Sequence, residues 1–223
     1  MNKYTWPDPP RHVAFPVASA GYPLIITAAF TTVVFALLGY AVPTIIGLAA
    51  TFFICFFFRD PDRVVPNEPT AVISPADGKI IVAAPVKNCP FYEGDCVKIS
   101  IFMSVFNVHI NRIPHDGSIR EVRYTPGAFI AANHHQASMK NEHNAVFLQT
   151  GDDKKIYFVQ IAGLIARRII CKIQAGDRVT RGQRFGLICF GSRVDVYVPP
   201  ETTLNVAFGD RVKAGTSILG YLS

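Results

Sequence analysis

Gly176-Asp177-Arg178-Val179-Thr180-Arg181-Gly182 returns further along the chain as Gly209-Asp210-Arg211-Val212-Lys213-Ala214-Gly215. Gly-Asp, then a valine, then Gly marks a turn feeding a strand: glycine accepts backbone angles other residues resist, and aspartate folds its carboxylate back onto the chain. Each copy is followed by a short apolar run, Phe185 to Ile188 and Ser217 to Leu222. Between them Val194 to Val198 reads as a strand. So do Ala71 to Ile73, Lys79 to Ala84, Val97 to Phe102 and Ile156 to Ile161, all bounded by turn-forming residues. Helical periodicity is weak from Pro61 onward, apart from a short candidate helix around Phe129 to Met139. The expected body is mainly β (α+β), a compact sandwich or barrel-like fold with a pseudo-repeated C-terminal half.

That duplicated half is similar to biotinyl and lipoyl carrier domains. A carrier needs a lysine at the exposed hairpin tip to hold its cofactor. The segment between the copies, Cys189-Phe190-Gly191-Ser192-Arg193-Val194-Asp195, has no lysine and offers Gly-Ser instead.

Upstream, the 38 residues from Gly21 to Phe58 include no charge. One straight helix of that length would reach roughly 57 Å, against a hydrocarbon core of roughly 30 Å. A break at Gly39-Tyr40-Ala41-Val42-Pro43 resolves the mismatch. Two spans are expected, Leu24 to Leu38 and Thr44 to Phe58, forming an apolar helical hairpin within 22–58 that crosses or re-enters the bilayer. The stretch lacks the polar face of a soluble core helix and the cleavage site of a signal peptide. Lys3 and Arg11 precede it, and Arg59 and Arg63 follow it. Positive charge on both sides puts both ends in the cytoplasm. Residues 1–58 are then a membrane anchor, and 59–223 a catalytic domain on the cytoplasmic side of the cell membrane.

Formal net charge is +6, and from Arg59 onward 20 Lys and Arg face 15 Asp and Glu. Arg167, Arg168, Lys172, Arg178, Arg181 and Arg184 crowd one stretch, which suits an anionic lipid surface or a solvated strand face. No nucleic-acid recognition motif accompanies them. The five cysteines form no C-x-x-C pair, which points to a reducing compartment and core packing. His134, His135 and His143 have no carboxylate arrangement around them, so no metal site is expected.

Phe190-Gly191-Ser192-Arg193-Val194-Asp195 resembles the self-cleavage site of the phosphatidylserine decarboxylases in their short form. Four other stretches match that family in order: Phe58-Arg59-Asp60-Pro61, Ser74-Pro75-Ala76-Asp77-Gly78, Asn107-Val108-His109-Ile110-Asn111-Arg112, and Gly163-Leu164-Ile165-Ala166-Arg167-Arg168. Taken singly, Asp77 is a turn residue, His109 a strand histidine and Ser192 a turn serine; their shared order changes that. The resemblance implies that Ser192 attacks the Gly191 carbonyl, that elimination frees the upstream chain, and that loss of ammonia leaves a pyruvoyl group, a covalent cofactor derived from Ser192. Glycine at 191 would keep side-chain bulk away from that attack and leave the backbone unrestricted. It implies His109 as the base, with Asp77 holding its tautomer. The pyruvoyl group then serves as electron sink while a serine phospholipid loses carbon dioxide, giving the ethanolamine lipid.

Arg112, Arg167 and Arg168 are candidates for pairing with lipid phosphate or carboxylate, or for structural salt bridges. Arg112 stands where the family's long forms commonly show a second histidine. Asn141-Glu142-His143-Asn144 is similar to a family segment near the active site, which brings in His143 on the substrate side. The partners implied are the phospholipid, the membrane, and the two cleaved chains as a heterodimer, with higher oligomers left open. Competing readings are a membrane-tethered lipoyl-like adaptor, which would stay uncut, and a pyruvoyl decarboxylase acting on a soluble amino acid or on an archaeal-type lipid with the same serine headgroup (archaetidylserine).

Overall fold

The computed structural model describes the chain except residues 1–3, 6–7, 9–14, 90, 92–93, 131–139, 165–167 and 190. It divides into two compact units, Arg11–Asp62 and a body formed by Met1–Pro10 with Arg63–Ser223. The candidate helix of Phe129 to Met139 falls almost entirely outside the described residues.

The smaller unit is a hairpin of α1 (Tyr22–Leu37) and α2 (Ala41–Phe57), entered through a 3-10 turn at Ser19–Gly21. Pro43 was expected in the break but lies inside the first turn of α2. It is tolerated there because the first N–H groups of a helix have no intrahelical acceptor. The hairpin ends are tied together: Ala18 N–H donates to Phe58 O and Asp60 N–H to Pro16 O, both at 2.8 Å. Phe30, Leu37, Val42, Ile45 and Phe52 are all 67–83% exposed, an apolar surface that water would not stabilise. Thr27 and Thr51 return their hydroxyls to the carbonyls of Pro23 and Gly47, both at 2.8 Å, which satisfies them without solvent. Ser19–Leu37 is long and apolar enough to cross a bilayer, with mean hydropathy 1.8, while Ala41–Phe57 is shorter.

The body is built from antiparallel strands. In chain order they are β1 (Tyr4–Thr5), β2 (Val65–Pro66), β3 (Ala71–Ile73), β4 (Gly78–Val86), β5 (Cys96–Met103), β6 (Ile110–Arg112), β7 (Gly117–Thr125), β8 (His143–Gln149), β9 (Lys155–Ala162), β10 (Ile169–Cys171), β11 (Arg178–Val179), β12 (Arg184–Ile188), β13 (Ser192–Val198), β14 (Thr203–Leu204), β15 (Arg211–Val212) and β16 (Ile218–Tyr221). An eight-stranded sheet runs β11-β7-β8-β9-β13-β5-β4-β15. Two three-stranded sheets, β10-β12-β6 and β14-β16-β3, and the pair β1-β2 complete the body. One face of the large sheet (Ile99, Ile101, Val146, Phe158, Val194, Val196) packs with Phe185, Ile188, Val72 and Leu219 of the small sheets in the main core. The fold is mainly β, as the sequence implied.

The repeat is deeper than its seven-residue signature. β11 pairs with β7 through Arg178–Ser118 and Val179–Gly117; β15 pairs with β4 through Arg211–Lys79 and Val212–Gly78. Gly176 N–H donates to Ile119 O and Gly209 N–H to Ile80 O, at 2.8 and 2.9 Å. The opening glycines have φ of 94° and 98°, the left-handed region in which a side chain is strained. Bulges recur at Ile119/Glu121 and Ile80/Val82, and at Arg184/Gly186 and Ile218/Gly220. Every pair matches, so the body is two related halves about a pseudo-twofold between β9 and β13. That relation extends the repeat upstream, where Ile113-Pro114-His115-Asp116-Gly117 answers Ser74-Pro75-Ala76-Asp77-Gly78.

Candidate active site

Ser192 opens β13, the strand flanked by β5 and β9, with Met103 and Ala162 as its neighbours. Val194, Val196 and Val198 belong to the main core, and by the period-2 alternation of a strand Ser192 shares their face. Its side chain is fully buried between Met103 and Ala162, both also at 0% exposure. Ser192 Oγ has no hydrogen-bond partner among the described residues. A buried polar atom left unpaired costs about 1–3 kcal/mol, so it calls for an explanation. Gly191 has φ of 65°, yet a Cβ built there would meet nothing within 4 Å. Glycine is needed here for its backbone conformation.

The end of β5 leads from Met103 into a turn that Asn107 caps: its Oδ1 accepts from Ser104 N–H at 2.9 Å and Ser104 Oγ–H at 2.8 Å. His109 follows, 2% exposed, with Nδ1 2.9 Å from Asn107 O. In the tautomer where Nδ1–H donates to that carbonyl, Nε2 carries the lone pair. Asn111, two residues on, places Nδ2 3.8 Å from Met103 Sδ, and its Oδ1 accepts from Gln160 Nε2 at 2.9 Å. Gln160 Oε1 in turn accepts from Asn144 Nδ2 at 3.1 Å. This buried amide chain ties the His109 segment to the core face of β9 and β8. The sequence reading did not single out Gln160, because an isolated glutamine in an apolar strand carries no motif.

Lys79 is paired with Phe102, so Gly78 lies beside Met103, the neighbour of Ser192. Asp77 is thereby brought to the same end of the sheet. Its Oδ1 accepts from Ala214 N–H at 2.8 Å, and its Oδ2 from Arg63 Nη2 at 3.0 Å.

The remaining candidates are dispersed. Arg112 is 2% exposed; its Nη1 donates to Gly182 O at 2.8 Å and lies 3.6 Å from Asp8 Oδ2. His143 is paired with Ile161, which pairs with Arg193, and so it lies on the Arg193 face of the sheet, not the Ser192 face. Its Nδ1 is 2.8 Å from Asn141 O, and its ring meets Phe91 edge-on. Arg168 is exposed, and its carbonyl accepts Cys189 N–H at 3.0 Å, two residues before Gly191 in the chain. Arg167, His134 and His135 lie outside the described residues. On the far face from Ser192, Arg193 bridges Asp195 at 2.8 Å and Lys98 reaches the same carboxylate at 3.1 Å. Burial raises the Cys189 thiol, with Arg168 opposing, which favours its neutral form.

The family model described as phosphatidylserine decarboxylase matches residues 50–220. The chain belongs to that family. A phosphatidylserine decarboxylase proenzyme of Desulfotalea psychrophila is 52% identical over 93% of this chain and 97% of its own length. Relatives with the same name from Geotalea uraniireducens and Syntrophus aciditrophicus are 48% and 45% identical, over 95% and 94% of this chain and 99% of their own lengths. The expectation of an enzyme, not an adaptor, stands with that membership.

Proposed function

We propose that the chain is a proenzyme that cuts itself between Gly191 and Ser192 and then decarboxylates phosphatidylserine to phosphatidylethanolamine at the cytoplasmic face of the cell membrane. The family is a decarboxylase family, and the relatives are named proenzymes. The observation that carries the cleavage reading is Ser192 Oγ, buried and without a hydrogen-bond partner among the described residues, directly after a glycine at positive φ. A buried polar group left unpaired is a costly feature that is kept where it has a reactive role.

In this reading His109 takes the hydroxyl proton through Nε2 while Nδ1–H stays on Asn107 O. Oγ bonds to the Gly191 carbonyl carbon and the C–N bond breaks, leaving an ester. Loss of the Ser192 α-proton expels the Gly191 carboxylate, and water then releases ammonia, leaving the pyruvoyl group at position 192. The His109 tautomer that Asp77 was expected to hold is set by the Asn107 carbonyl, and both Asp77 oxygens are engaged by the Ala214 N–H and Arg63, which leaves Asp77 an electrostatic role toward a protonated His109. Once formed, the pyruvoyl group supplies the electron sink for loss of carbon dioxide from the serine headgroup. The small chain stays in place after the cut because β13 is hydrogen-bonded along both edges, giving a heterodimer. The tied ends of the helical hairpin support an anchor whose two ends share one side of the membrane.

Intact mass of the purified protein tests this. Two chains are expected, the smaller matching 192–223 with serine converted to pyruvoyl, while Ser192→Ala stays whole. Purified enzyme should release carbon dioxide from phosphatidylserine in detergent micelles. One uncut, folded chain with unmodified Ser192 would overturn the reading.

A further inference from the structure

A cleft of about 540 Å³ opens at the Asp77 end of the large sheet, lined by Asp77, Lys79, Ser104, Phe106, Asn107, Arg211 and Lys213, among others. Asp77 and Asn107 connect it to the residues assigned above to proton transfer. The sheet register sets its position. Ser192 neighbours Met103, Gly78 continues the row next to Met103, and Val212 pairs with Gly78. At about 4.8 Å per strand, the Val212 end of that row is about 14 Å from Ser192. Lys79 pairs with Phe102, which pairs with Arg193, so the three cations rise from the face opposite Ser192, and a headgroup held by them reaches position 192 only around the end of the sheet.

The charge in the cleft is unspent. Lys79, Arg211 and Lys213 are exposed, alternating with the buried Gly78, Ile80 and Val212, and none is in an ion pair among the described residues. The other half of the body provides an internal reference. Its matching positions are Ser118, Arg178 and Thr180, so two of the three cations are peculiar to the half that faces Asp77. At the rim Phe106 is 68% exposed, an apolar group beside the cationic cluster.

We propose that Lys79, Arg211 and Lys213 bind the phosphate of the lipid headgroup, with Phe106 against its glycerol and acyl end, so that the serine moiety passes around the end of the sheet, by Asp77 and Asn107, toward position 192. The proposal rests on the decarboxylase reading and extends it to the residues that hold the substrate. Three cations around one phosphodiester give the charge-assisted contacts that such a group favours, and the aromatic suits the lipid interface.

The test uses the full-length enzyme in mixed micelles of phosphatidylserine and a neutral detergent. In Lys79→Gln/Lys213→Gln, self-cleavage should be complete by intact mass, kcat should change little, and KM for the lipid should rise roughly tenfold or more. Arg211→Gln alone should move KM in the same direction by a smaller factor, and keeps the test usable if the double variant folds poorly. Arg178→Glu, at the matching place in the other half, should leave KM unchanged. An unchanged KM in the cleft variants, or an equal rise in Arg178→Glu, would overturn the proposal. Inhibition by inorganic phosphate at concentrations near the lipid's own KM would assign the cleft to free phosphate and overturn the lipid assignment. Absence of the cut in unmutated protein would remove the decarboxylase reading itself, and this proposal with it.

Discussion

The two halves of the body follow one hydrogen-bonding plan and part company at one junction. In the half built from β6 to β12, β8 turns directly into β9 through a tight hairpin in which Thr150 N–H donates to Lys154 O at 3.0 Å. The pseudo-twofold maps that hairpin onto Met103 and Ser192, where β5 and β13 are paired but not joined. There the chain leaves Met103 for the Asn107–His109 segment and re-enters through Gly191. The candidate active site therefore occupies the place of a missing turn. A closed hairpin satisfies its own backbone; an open one leaves a buried serine, a positive-φ glycine and room for a histidine segment.

Asp77 and Asp116 make the comparison finer. Each precedes a glycine, and each accepts a backbone N–H from the sixth residue of its repeat copy, Ala214 and Arg181, both at 2.8 Å. Asp77 thus has the turn role that its sequence context suggests, in addition to any role in chemistry. The side chains differ in exposure, 11% for Asp77 against 51% for Asp116.

Asp77→Ala and Asp116→Ala break this comparison most directly. Asp77→Ala should slow self-cleavage and decarboxylation by a factor of up to about 10⁴, the scale of losing the aspartate that supports a catalytic histidine. Asp116→Ala should cleave normally and lose about 1 kcal/mol of stability, the net worth of one hydrogen bond. Mass spectrometry over time and thermal unfolding read the two outcomes; equal loss of cleavage would make Asp77 a turn residue only.

Arg112 links the halves, since its side chain bonds Gly182 O and fills the space a Cβ would take at Gly215. Arg112→Ala should lower stability by about 1–3 kcal/mol, the cost of leaving the Gly182 carbonyl without its charged donor, since Asp8 stays paired with Arg184. A normal melting temperature with lost lipid binding would instead restore Arg112 as a substrate ligand. Gly78→Ala and Gly117→Ala, whose new Cβ atoms would run into Phe102 O and Gln149 O, should each cost about 1–3 kcal/mol and by similar amounts. Unequal costs would show that one half is the more plastic.

The change of least consequence for the comparison concerns thiols. Burial, then the neighbouring Cys89, pushes Cys96 up to about 12. A raised thiol pKa favours the neutral form, so at pH 8 only about one molecule in ten thousand carries a thiolate there. Iodoacetamide at pH 8 should label Cys96 in denatured protein far faster than in native protein.

β7 and β8 were not foreseen as strands. In β7 the bulge at Ile119/Glu121 breaks the alternation that marks a strand, so the inward residues Ile119 and Val122 are three apart instead of two. The upstream part of the repeat escaped notice for a related reason: Pro-x-Asp-Gly is short, and only the matched pairings of Gly78 with Val212 and Gly117 with Val179 show that its two occurrences are equivalent. The cationic cleft is dispersed over Lys79, Arg211 and Lys213, which no local pattern connects.

What the amino-acid sequence determined alone was local and covalent. It set the charge-free stretch that must find an apolar surrounding, the duplicated turn whose glycines and aspartates dictate backbone shape, the β-branched runs, and a Gly-Ser bond in a recognisable order of motifs. What only the tertiary structure decided was which residues share a neighbourhood. It placed Ser192 against Met103 and Ala162, turned His143 to the opposite face, buried Arg112 between the halves, and gathered three distant cations at the end of one sheet. Those outcomes follow from strand register, which is settled by long-range burial of the whole core and is not written in any short stretch of the chain.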